Sequence, residues 1–351
     1  MDILRKIEAY KDFYKRANGL MVHIVPDSNI FERMPKLTGV EWKSKESVKA
    51  YARRKLAFFR EYWKLSEGFQ DDFIPSIQVL AGTGMVGAAL LKDSDLTLEA
   101  ETNYLIDPQL DWSDASLKRI CFNPDNPWFK AQLWILEAFL EDYDGTYGIL
   151  PYTHFDPLDL ANQYRGNDLF MDLELYQDEL HELLRRCTKA ILELESYLRE
   201  NILNKFPLPG CALAGIWIPA GNYLSCDAGD LVSPEHLAKF GLPYTAQIVE
   251  AWGGGYLHHH ELGRHQINNW ASVPKLSVQF LNRDFNTKHL GLEMEEEIIA
   301  SSRKLPIQFI ALAEEFLKEA DRWAGGKFII AVKCRTPEEI SKVEDKIARL
   351  K

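Results

Sequence analysis

Residues 305–333 read LPIQFIALAEEFLKEADRWAGGKFIIAVK, with an apolar run typical of a buried strand at each end and a helical stretch between them. The same alternation recurs along the chain after residue 70. Strand-like runs begin with FIPSIQVL at residue 73, TYGILP at 146, ALAGIWI at 212, NYLSCDA at 222, GYLHHH at 255, LSVQFL at 276, LPIQFIAL at 305 and KFIIAVK at 327. Eight strands joined by helices predict an α/β fold in which a parallel sheet closes into a single (β/α)8 TIM barrel.

Amphipathic helices are predicted in most of the connections, for example over 176–202 and 233–254, whereas the link between the third and fourth runs is short. The first 70 residues have a mainly helical pattern. We therefore expect residues 1–70 to form a helical extension packed on a barrel of residues 71–351. An open doubly wound sheet is the alternative, but GTGMVG at 82–87 lacks the spacing of a dinucleotide fingerprint, and we expect no nucleotide cofactor.

The composition is that of a folded protein, with 46% apolar and 26% charged residues among 351. The net charge of -11 argues against binding to nucleic acid or to an anionic membrane, since both need a basic face. The N-terminal segment has no apolar core of a signal peptide, and no run is long enough to span a membrane, so we expect a cytoplasmic protein. The five cysteines are few, odd in number and without CxxC spacing, so the sequence signals neither a disulfide framework nor a zinc knuckle.

Polar residues follow the predicted strands at their C-terminal ends, where the chemistry of a (β/α)8 barrel takes place. They are Gln78 in the first strand, YTHFDP after the second, SCDAGD after the fourth, HHHELGRH after the fifth, NRDFN after the sixth and VKC in the eighth. We therefore expect a site for a small-molecule substrate on this rim.

The histidine run in GGGYLHHHELGRH is the strongest signal on the rim. Side chains alternate along a strand, so His258 and His260 share one face and His259 points to the other. Two imidazoles two residues apart can bind one zinc ion if a third ligand comes from elsewhere, and the candidates are Cys334, Asp227, His154 and Glu261. The metal-free alternative is acid/base or anion-binding work by His260, His265 and Arg264.

A second polar constellation is YTHFDPLDLANQYRG, residues 152–166. Asp156 before Pro157 is typical of a helix N-cap, and His154 and Arg165 could face a ligand. In SCDAGDLVSPEHL, Asp227 at the strand end is the better site candidate, whereas Ser233 indicates a helix start.

With these motifs in order, the chain resembles the uroporphyrinogen decarboxylase superfamily, which includes the methylcobamide:coenzyme M methyltransferases. The resemblance runs from about residue 70 to the C-terminus and rests on DDFIPSIQVLAGTGMVGAAL, THFDPLDLANQYRGNDLFMDL, CDAGDLVSPEHLAKFGLPYTAQIV and GGGYLHHHELGRH. It implies a (β/α)8 barrel with an active cleft at the C-terminal rim. The chain lacks the arginine-rich N-terminal loop of the decarboxylases and has AVKCRTPEEI where they have a late glycine–histidine–glycine turn.

The methyltransferase branch carries an H-x-C pair on the fifth strand and a later cysteine before a TPEE-like helix start. Here His258 and His260 match that pair, with histidine in place of the cysteine, and Cys334 precedes RTPEEI. The resemblance therefore implies zinc ligands at His258, His260 and Cys334. Catalytic roles are expected for His154, Asp227 and His265, and substrate binding for Gln78, Arg165 and Arg264.

Three functions are open from the sequence. The first is zinc-dependent methyl transfer linked to a corrinoid, with a corrinoid protein as a partner. The second is metal-independent decarboxylation of a tetrapyrrole-like or smaller carboxylated substrate, in which Arg165 and Arg264 hold the acid groups. The third is a non-catalytic corrinoid or tetrapyrrole carrier. Barrels of this kind often self-associate, so a homodimer is compatible with each.

Overall fold

Seven strands form one parallel sheet in the computed structural model, which describes residues 3–27, 32–79, 82–94, 96–99, 103–107, 110–202, 211–284, 289–291 and 294–351. The strands of the described residues are β1 (Gly19–Pro26), β2 (Ser76–Gln78), β3 (Leu96–Glu99), β4 (Asn103–Ile106), β5 (Gly148–Leu150), β6 (Thr153–Phe155), β7 (Cys211–Leu213), β8 (Ile216–Ile218), β9 (Tyr223–Ser225), β10 (Tyr256–His260), β11 (Val278–Asn282), β12 (Ile307–Leu312) and β13 (Lys327–Cys334). The order in the sheet is β1-β13-β12-β11-β10-β9-β6.

Helices connect most of these strands, as the amphipathic patterns predict. They are α1 (Ile3–Lys15), α2 (Lys45–Lys64), α3 (Thr83–Ala88), α4 (Asp114–Leu117), α5 (Pro127–Glu141), α6 (Pro157–Arg165), α7 (Asp168–Leu175), α8 (Gln177–Asn201), α9 (Pro234–His236), α10 (Leu242–Trp252), α11 (Ile267–Trp270), α12 (Glu296–Ser302), α13 (Ala313–Trp323) and α14 (Pro337–Leu350). In the described part of the chain, no helix has both the length and the apolarity needed to cross a membrane.

The predicted parallel α/β architecture is confirmed, and seven of the eight predicted strand runs contain a strand of a parallel pair. The run ALAGIWI is the exception, because it folds into the antiparallel hairpin β7–β8, separate from the large sheet. Ala214 and Gly215 both have positive φ angles, 46° and 82°, which make the tight turn between its strands. A Cβ on Gly215 would lie 2.5 Å from the His23 ring, so the close packing there also requires glycine.

The strand β1 was missed by the sequence analysis, which assigned residues 1–70 to a mainly helical extension. It pairs in parallel with β13, from Gly19 opposite Lys327 to Pro26 opposite Cys334. The run GLMVHIVP carries a strand signal, since it is rich in apolar and β-branched residues and bounded by glycine and proline. A boundary at residue 70 therefore separates β1 from the sheet to which it belongs.

The gap between β1 and β2 is bridged by side chains instead of a strand ladder. The backbone N–H of Val22 donates to Asp72 Oδ2 and that of Ile24 to Asp71 Oδ2, both at 2.9 Å. The Asp72 N–H donates to the Val22 carbonyl at 2.7 Å. β2 pairs in parallel with β5, which precedes β6 by two residues. The β-ladders of the described residues therefore do not run without a break around a ring.

The two faces of the sheet carry different side chains. On β13, Phe328, Ile330, Val332 and Cys334 lie in one apolar cluster with residues of α13 and α14. Ile329 faces the other way, on what we call the inner face of the sheet, and packs in a second apolar cluster. Its cluster contains Met21, Tyr256 and Val278 of the sheet together with residues of α1 and of the β7–β8 hairpin. The helix and the hairpin thus cover the N-terminal ends of the strands, and the opposite end is left for a site.

His23 is buried on the inner face of β1, with 3% of its surface exposed. Burial lowers the pKa of His23 to about 4, and the charge of Lys6 acts in the same direction. His23 therefore binds a proton near pH 6.5 in the unfolded chain but only near pH 4 in the folded chain. The free energy of unfolding consequently decreases as the pH falls from about 6.5 towards 4. Between pH 7.5 and 5.0 we expect His23 to remove about 2 kcal/mol from the free energy of unfolding. Urea unfolding of wild type and His23→Leu at both pH values measures this, and an equal pH dependence in the two proteins would contradict it.

Candidate metal centre

Three side chains converge at the C-terminal ends of β9 and β10. His258 Nε2 lies 3.3 Å from His260 Nε2, and Asp227 Oδ1 lies 3.6 Å from His258 Nε2 and 3.7 Å from His260 Nε2. Ligand atoms about 2.0–2.1 Å from a tetrahedral zinc ion are about 3.3–3.4 Å from each other. The spacing of these three atoms, which we call the triad, therefore fits a single metal ion.

Strand geometry explains why the two histidines meet. Tyr256 packs on the inner face of the sheet, so His258 and His260, two and four residues later, face the same side. Asp227 comes from the neighbouring strand end, two residues beyond Ser225, whose hydroxyl donates to Asp227 Oδ1 at 3.2 Å. The exposed fraction of the side chain rises from 14% for His258 to 28% for His260 and 52% for Asp227, so the triad opens towards solvent.

The protonation of the triad favours a cation. Burial, followed by the neighbouring imidazoles, lowers the pKa of His258 to about 3, so this ring is neutral and offers a lone pair at neutral pH. Desolvation raises the pKa of Asp227 above its ordinary value, and the charge of His260 opposes this change. Two imidazole nitrogens and a carboxyl oxygen facing one another are ligands suited to a divalent transition metal.

Asp284 orients one of the ligands, and the sequence analysis did not single it out. Its Oδ1 accepts the Nδ1–H of His260 at 2.7 Å, and its Oδ2 accepts the Leu262 N–H at 2.9 Å. A proton on Nδ1 leaves the Nε2 lone pair of His260 free for the triad, as in the carboxylate–histidine pairs of metal sites. The signal was present, since Asp284 belongs to the NRDFN stretch at the end of the sixth predicted strand.

Replacing Asp284 by alanine is expected to weaken zinc binding about 10–100-fold, because His260 then loses the partner that fixes its tautomer and orientation. Asp284→Asn keeps an oxygen acceptor and is expected to lose less. Competition titration against a zinc-sensitive dye measures both constants, and equal affinity of Asp284→Ala and wild type would contradict the assigned role.

A second carboxylate, Asp230, holds the end of β10 from the outer side. Its Oδ1 lies 3.1 Å from His259 Nδ1, and its Oδ2 accepts the His260 N–H at 2.7 Å. His259 is fully buried on the outer face, where its ring packs near Trp270 as strand alternation predicts. A Cβ on Gly263 would lie 1.6 Å from Asp230 Oδ1, so the turn after the histidine run needs a glycine there.

The segment carrying Asp227 is fixed by the first turn of α6. The Asp156 side chain accepts the Leu158 N–H at 2.9 Å, which confirms the predicted N-cap, and its backbone N–H donates to the Ser225 carbonyl. Asp159 Oδ1 accepts the Ala228 N–H at 2.6 Å. The YTHFDPLDL motif therefore acts on the site by holding the chain on both sides of Asp227.

Cys334 does not belong to the triad, contrary to its expected role as third ligand. It shares the outer face of β13 with Ile330 and Val332, is 1% exposed, and lies in the apolar layer beneath the helices. Its thiol is directed to the Val332 carbonyl at 3.8 Å, and burial raises the pKa of Cys334 to about 12. Asp227, another of the candidate third ligands, is the residue that the structure brings to the two histidines.

His154 and Glu261 are also placed away from the triad. His154 is fully buried, lies 3.2 Å from Glu195 of α8 and packs against the Trp252 ring, so it points away from the inner face of the sheet. Glu261 is fully buried and accepts the Leu290 N–H at 3.1 Å. His154, for which a catalytic role was expected, therefore lies apart from the triad.

The two arginines expected to bind substrate lie elsewhere. Arg165 makes two hydrogen bonds to the carboxylate of Asp172, at 2.7 and 3.1 Å, and a third to the Leu110 carbonyl. Its guanidinium also lies over the Trp112 ring, so it is fully engaged in holding α6 to α7. Arg264 lines a surface cavity with residues of α12, here called the flank cavity, and no residue of the triad lines it.

His265 and Gln78 complete the predicted set. His265 lines the same flank cavity as Arg264, and its Nε2 donates to the Val232 carbonyl at 3.2 Å, so it is not part of the triad. Gln78 is exposed at the C-terminal end of β2, where its backbone carbonyl accepts a hydrogen bond from the Lys55 ammonium group. Its role in substrate binding stays a prediction.

The fold is similar to that of a methyltransferase from Methanosarcina mazei, with a TM-score of 0.60 over 98% of both chains and 11% sequence identity. No family model matches the sequence. No curated protein matches it either. At this level of identity the likeness establishes the fold, and the chemistry has to be argued from the triad.

Proposed function

We propose that the protein is a zinc-dependent methyltransferase that takes a methyl group from a corrinoid and passes it to a thiol. The observation that carries the proposal is the triad of Asp227, His258 and His260, whose three ligand atoms lie 3.3, 3.6 and 3.7 Å apart, close to the about 3.3–3.4 Å of a tetrahedral zinc site. The resemblance of the motifs to the methyltransferase branch and the fold shared with the M. mazei methyltransferase support it.

The residues of the chain would divide the work as follows. His258 and His260 supply neutral nitrogen ligands, and Asp227 supplies one negative charge. Asp284 keeps the proton of His260 on Nδ1, away from the ligand atom. When bound, zinc supplies the Lewis acidity that converts a thiol to a reactive thiolate near neutral pH. The half-exposed Asp227 leaves the solvent side of the triad open, as a catalytic zinc site requires.

This ligand set differs from the thiolate-containing set implied by the resemblance. Two imidazoles and one carboxylate neutralise one of the two charges of the ion, whereas a thiolate is a softer donor that transfers more charge. The site would therefore be the more electrophilic of the two and would hold an anionic thiolate tightly.

We also infer that the parallel strands close into a complete (β/α)8 barrel, in which β5 and β6, only two residues apart, count as one of the eight strands. β2 and β5 would complete the ring between β6 and β1, and the carboxylates of Asp71 and Asp72 would join β1 to the segment that leads into β2. The triad would then lie at the mouth of the barrel, the expected place for an active site.

In this arrangement, the two arginines that the decarboxylase alternative requires are not at the triad. This alternative needs Arg165 and Arg264 to bind acid groups of the substrate, but Arg165 is engaged by Asp172 and Arg264 lies at the flank cavity.

The proposal is tested by incubating the zinc-loaded protein with methylcobalamin and 2-mercaptoethanol. The methyl group leaves cobalt as a cation equivalent, cob(I)alamin remains, and the thiol proton passes to solvent, so both products can be followed. We expect zinc-dependent loss of methylcobalamin absorbance and S-methyl product by mass spectrometry, both lost in Asp227→Ala. His265→Ala serves as the matched control. No transfer above the protein-free rate by the zinc-loaded protein would overturn the proposal.

A further inference from the structure

Three side chains join the end of β11 to the first turn of α13 on the outer side of the sheet. Arg283 Nε donates to His289 Nε2 at 2.8 Å, Arg283 Nη2 lies against the same ring, and His289 Nδ1 lies 3.2 Å from Glu315 Oε1. An arginine can only donate and a carboxylate can only accept, so the ring carries a proton on Nδ1 and a lone pair on Nε2. We call Arg283, His289 and Glu315 the clamp.

Glu315 is the fixed end of the clamp. It is 3% exposed in the first turn of α13, and its Oε2 accepts the Leu312 N–H at 2.8 Å. A Cβ on Gly291 would lie 3.3 Å from the same oxygen and 3.5 Å from the Trp323 ring, so the segment that carries His289 lies directly on α13. The clamp therefore ties the end of β11 to a helix that packs on the core.

The other end of the clamp adjoins the metal centre. Leu281, two residues before Arg283, packs in the outer apolar layer, and Arg283 extends to the same side. Asp284 comes next and points the opposite way, to His260 Nδ1 at 2.7 Å. Within the described ranges, the Asp284 carboxylate bonds only to His260 and to the Leu262 N–H. Its position on β11 therefore depends on what holds Arg283.

We propose that His289 is a positioning residue of the metal centre, which holds Asp284 against His260 by fixing the neighbouring Arg283 to Glu315. The inference rests on the triad as the metal site of the proposed function and adds a residue outside it on which metal affinity depends. Without the imidazole, Arg283 loses an acceptor and the buried Glu315 loses a donor. Unpaired polar groups of this kind are costly, so the end of β11 would rearrange and move Asp284.

The first test measures zinc affinity by competition with a zinc-sensitive dye. We expect His289→Ala to weaken binding about 3–10-fold, less than the about 10–100-fold expected for loss of a ligand's direct partner. His289→Gln is expected to keep the affinity of wild type, because its amide can accept from Arg283 and donate to Glu315. His236→Ala is the matched control, since His236 also pairs with a carboxylate, that of Glu174 at 3.1 Å, and is not expected to change zinc affinity.

A double-mutant cycle separates positioning from a general structural role. If His289 acts through Asp284, His289→Ala has no further effect on zinc affinity in the Asp284→Ala background. A structural role instead gives the same additional loss in both backgrounds. That result, or a zinc affinity of His289→Ala equal to that of wild type, would overturn the proposal.

A measurement on the metal-free protein keeps this inference apart from the proposed function. In ¹⁵N spectra of histidine-labelled protein, we expect the Nδ1–H tautomer of His260 in wild type and a mixture of tautomers in His289→Ala. The dispersion of the same spectra shows that the variant is folded. An unchanged His260 tautomer in His289→Ala overturns the positioning role. If wild type binds no zinc but the tautomer changes as expected, the proposed function fails and the link from His289 to His260 stands.

Discussion

Zinc binding at one ion per chain is expected to be lost when His258 is replaced by alanine. The substitution removes one of three ligands and leaves Asp227 and His260 on different strands with no third donor among the residues of the triad. Since loss of an outer partner of a ligand alone costs about 10–100-fold in affinity, we expect loss of the ligand itself to cost more than about 100-fold. Metal analysis of protein purified without a histidine tag or chelator measures the stoichiometry.

His265→Ala is the matched control for this experiment. His265 lies in the same histidine-rich segment and is exposed, but it lines the flank cavity and donates to the Val232 carbonyl. We expect this variant to keep its zinc. Zinc retained in His258→Ala would mean that the metal binds elsewhere. Equal loss in both variants would mean that the effect of His258→Ala is not specific to the triad.

Gly263→Ala is expected to destabilise the protein and the metal centre together. The new methyl group would overlap Asp230 Oδ1, and Asp230 has to move to make room. That movement strains the contacts of Asp230 with the His259 ring and with the backbone N–H of His260. Overpacking of a buried site costs about 1–3 kcal/mol, and we expect a loss in the upper part of this range because a buried carboxylate is displaced.

Urea unfolding of the metal-free protein measures the stability change, and dye competition measures the change in zinc affinity. Leu262→Ala is the control, since Leu262 is 51% exposed in the same turn and its removal should change the free energy of unfolding by less than about 0.5 kcal/mol. A Gly263→Ala protein as stable as Leu262→Ala would show that the turn can rearrange around Asp230.

The pairing of His258 with His260 follows from the sequence alone, because a strand of five residues fixes which of its side chains share a face. Whether Cys334 can be the third ligand depends on which face of β13 its side chain occupies. A shift of one residue exchanges the two faces of a strand, so the sequence could not decide between Lys333 and Cys334 as the inward residue. The packing of Ile330, Val332 and Cys334 against α13 and α14 decides it.

The arginines show a second limit of prediction from the sequence. Arg165 looks available for a substrate because its partner, Asp172, belongs to the next helix, and the two meet only through the angle between α6 and α7. The hairpin shows a third limit. ALAGIWI has the composition of a buried strand, and its positive-φ residues Ala214 and Gly215 are what turn it into a hairpin. Two strands, β1 and β6, lie outside the predicted runs, so the described residues contain nine strands in parallel pairs where eight were predicted.

The pairing of β1 with β13 has a consequence for how the protein is made. Among the described residues, β1 has no other ladder partner, and the register joins Gly19 to Lys327. During translation, β1 therefore cannot pair until β13 has been synthesised, and the large sheet cannot be completed before then. The apolar residues of β1 stay without their strand partner for most of translation. Contacts between such distant positions slow folding, because a long loop is closed before the pairing stabilises it. Premature release of the chain before β13 is synthesised leaves β1 as an exposed edge, a starting point for aggregation.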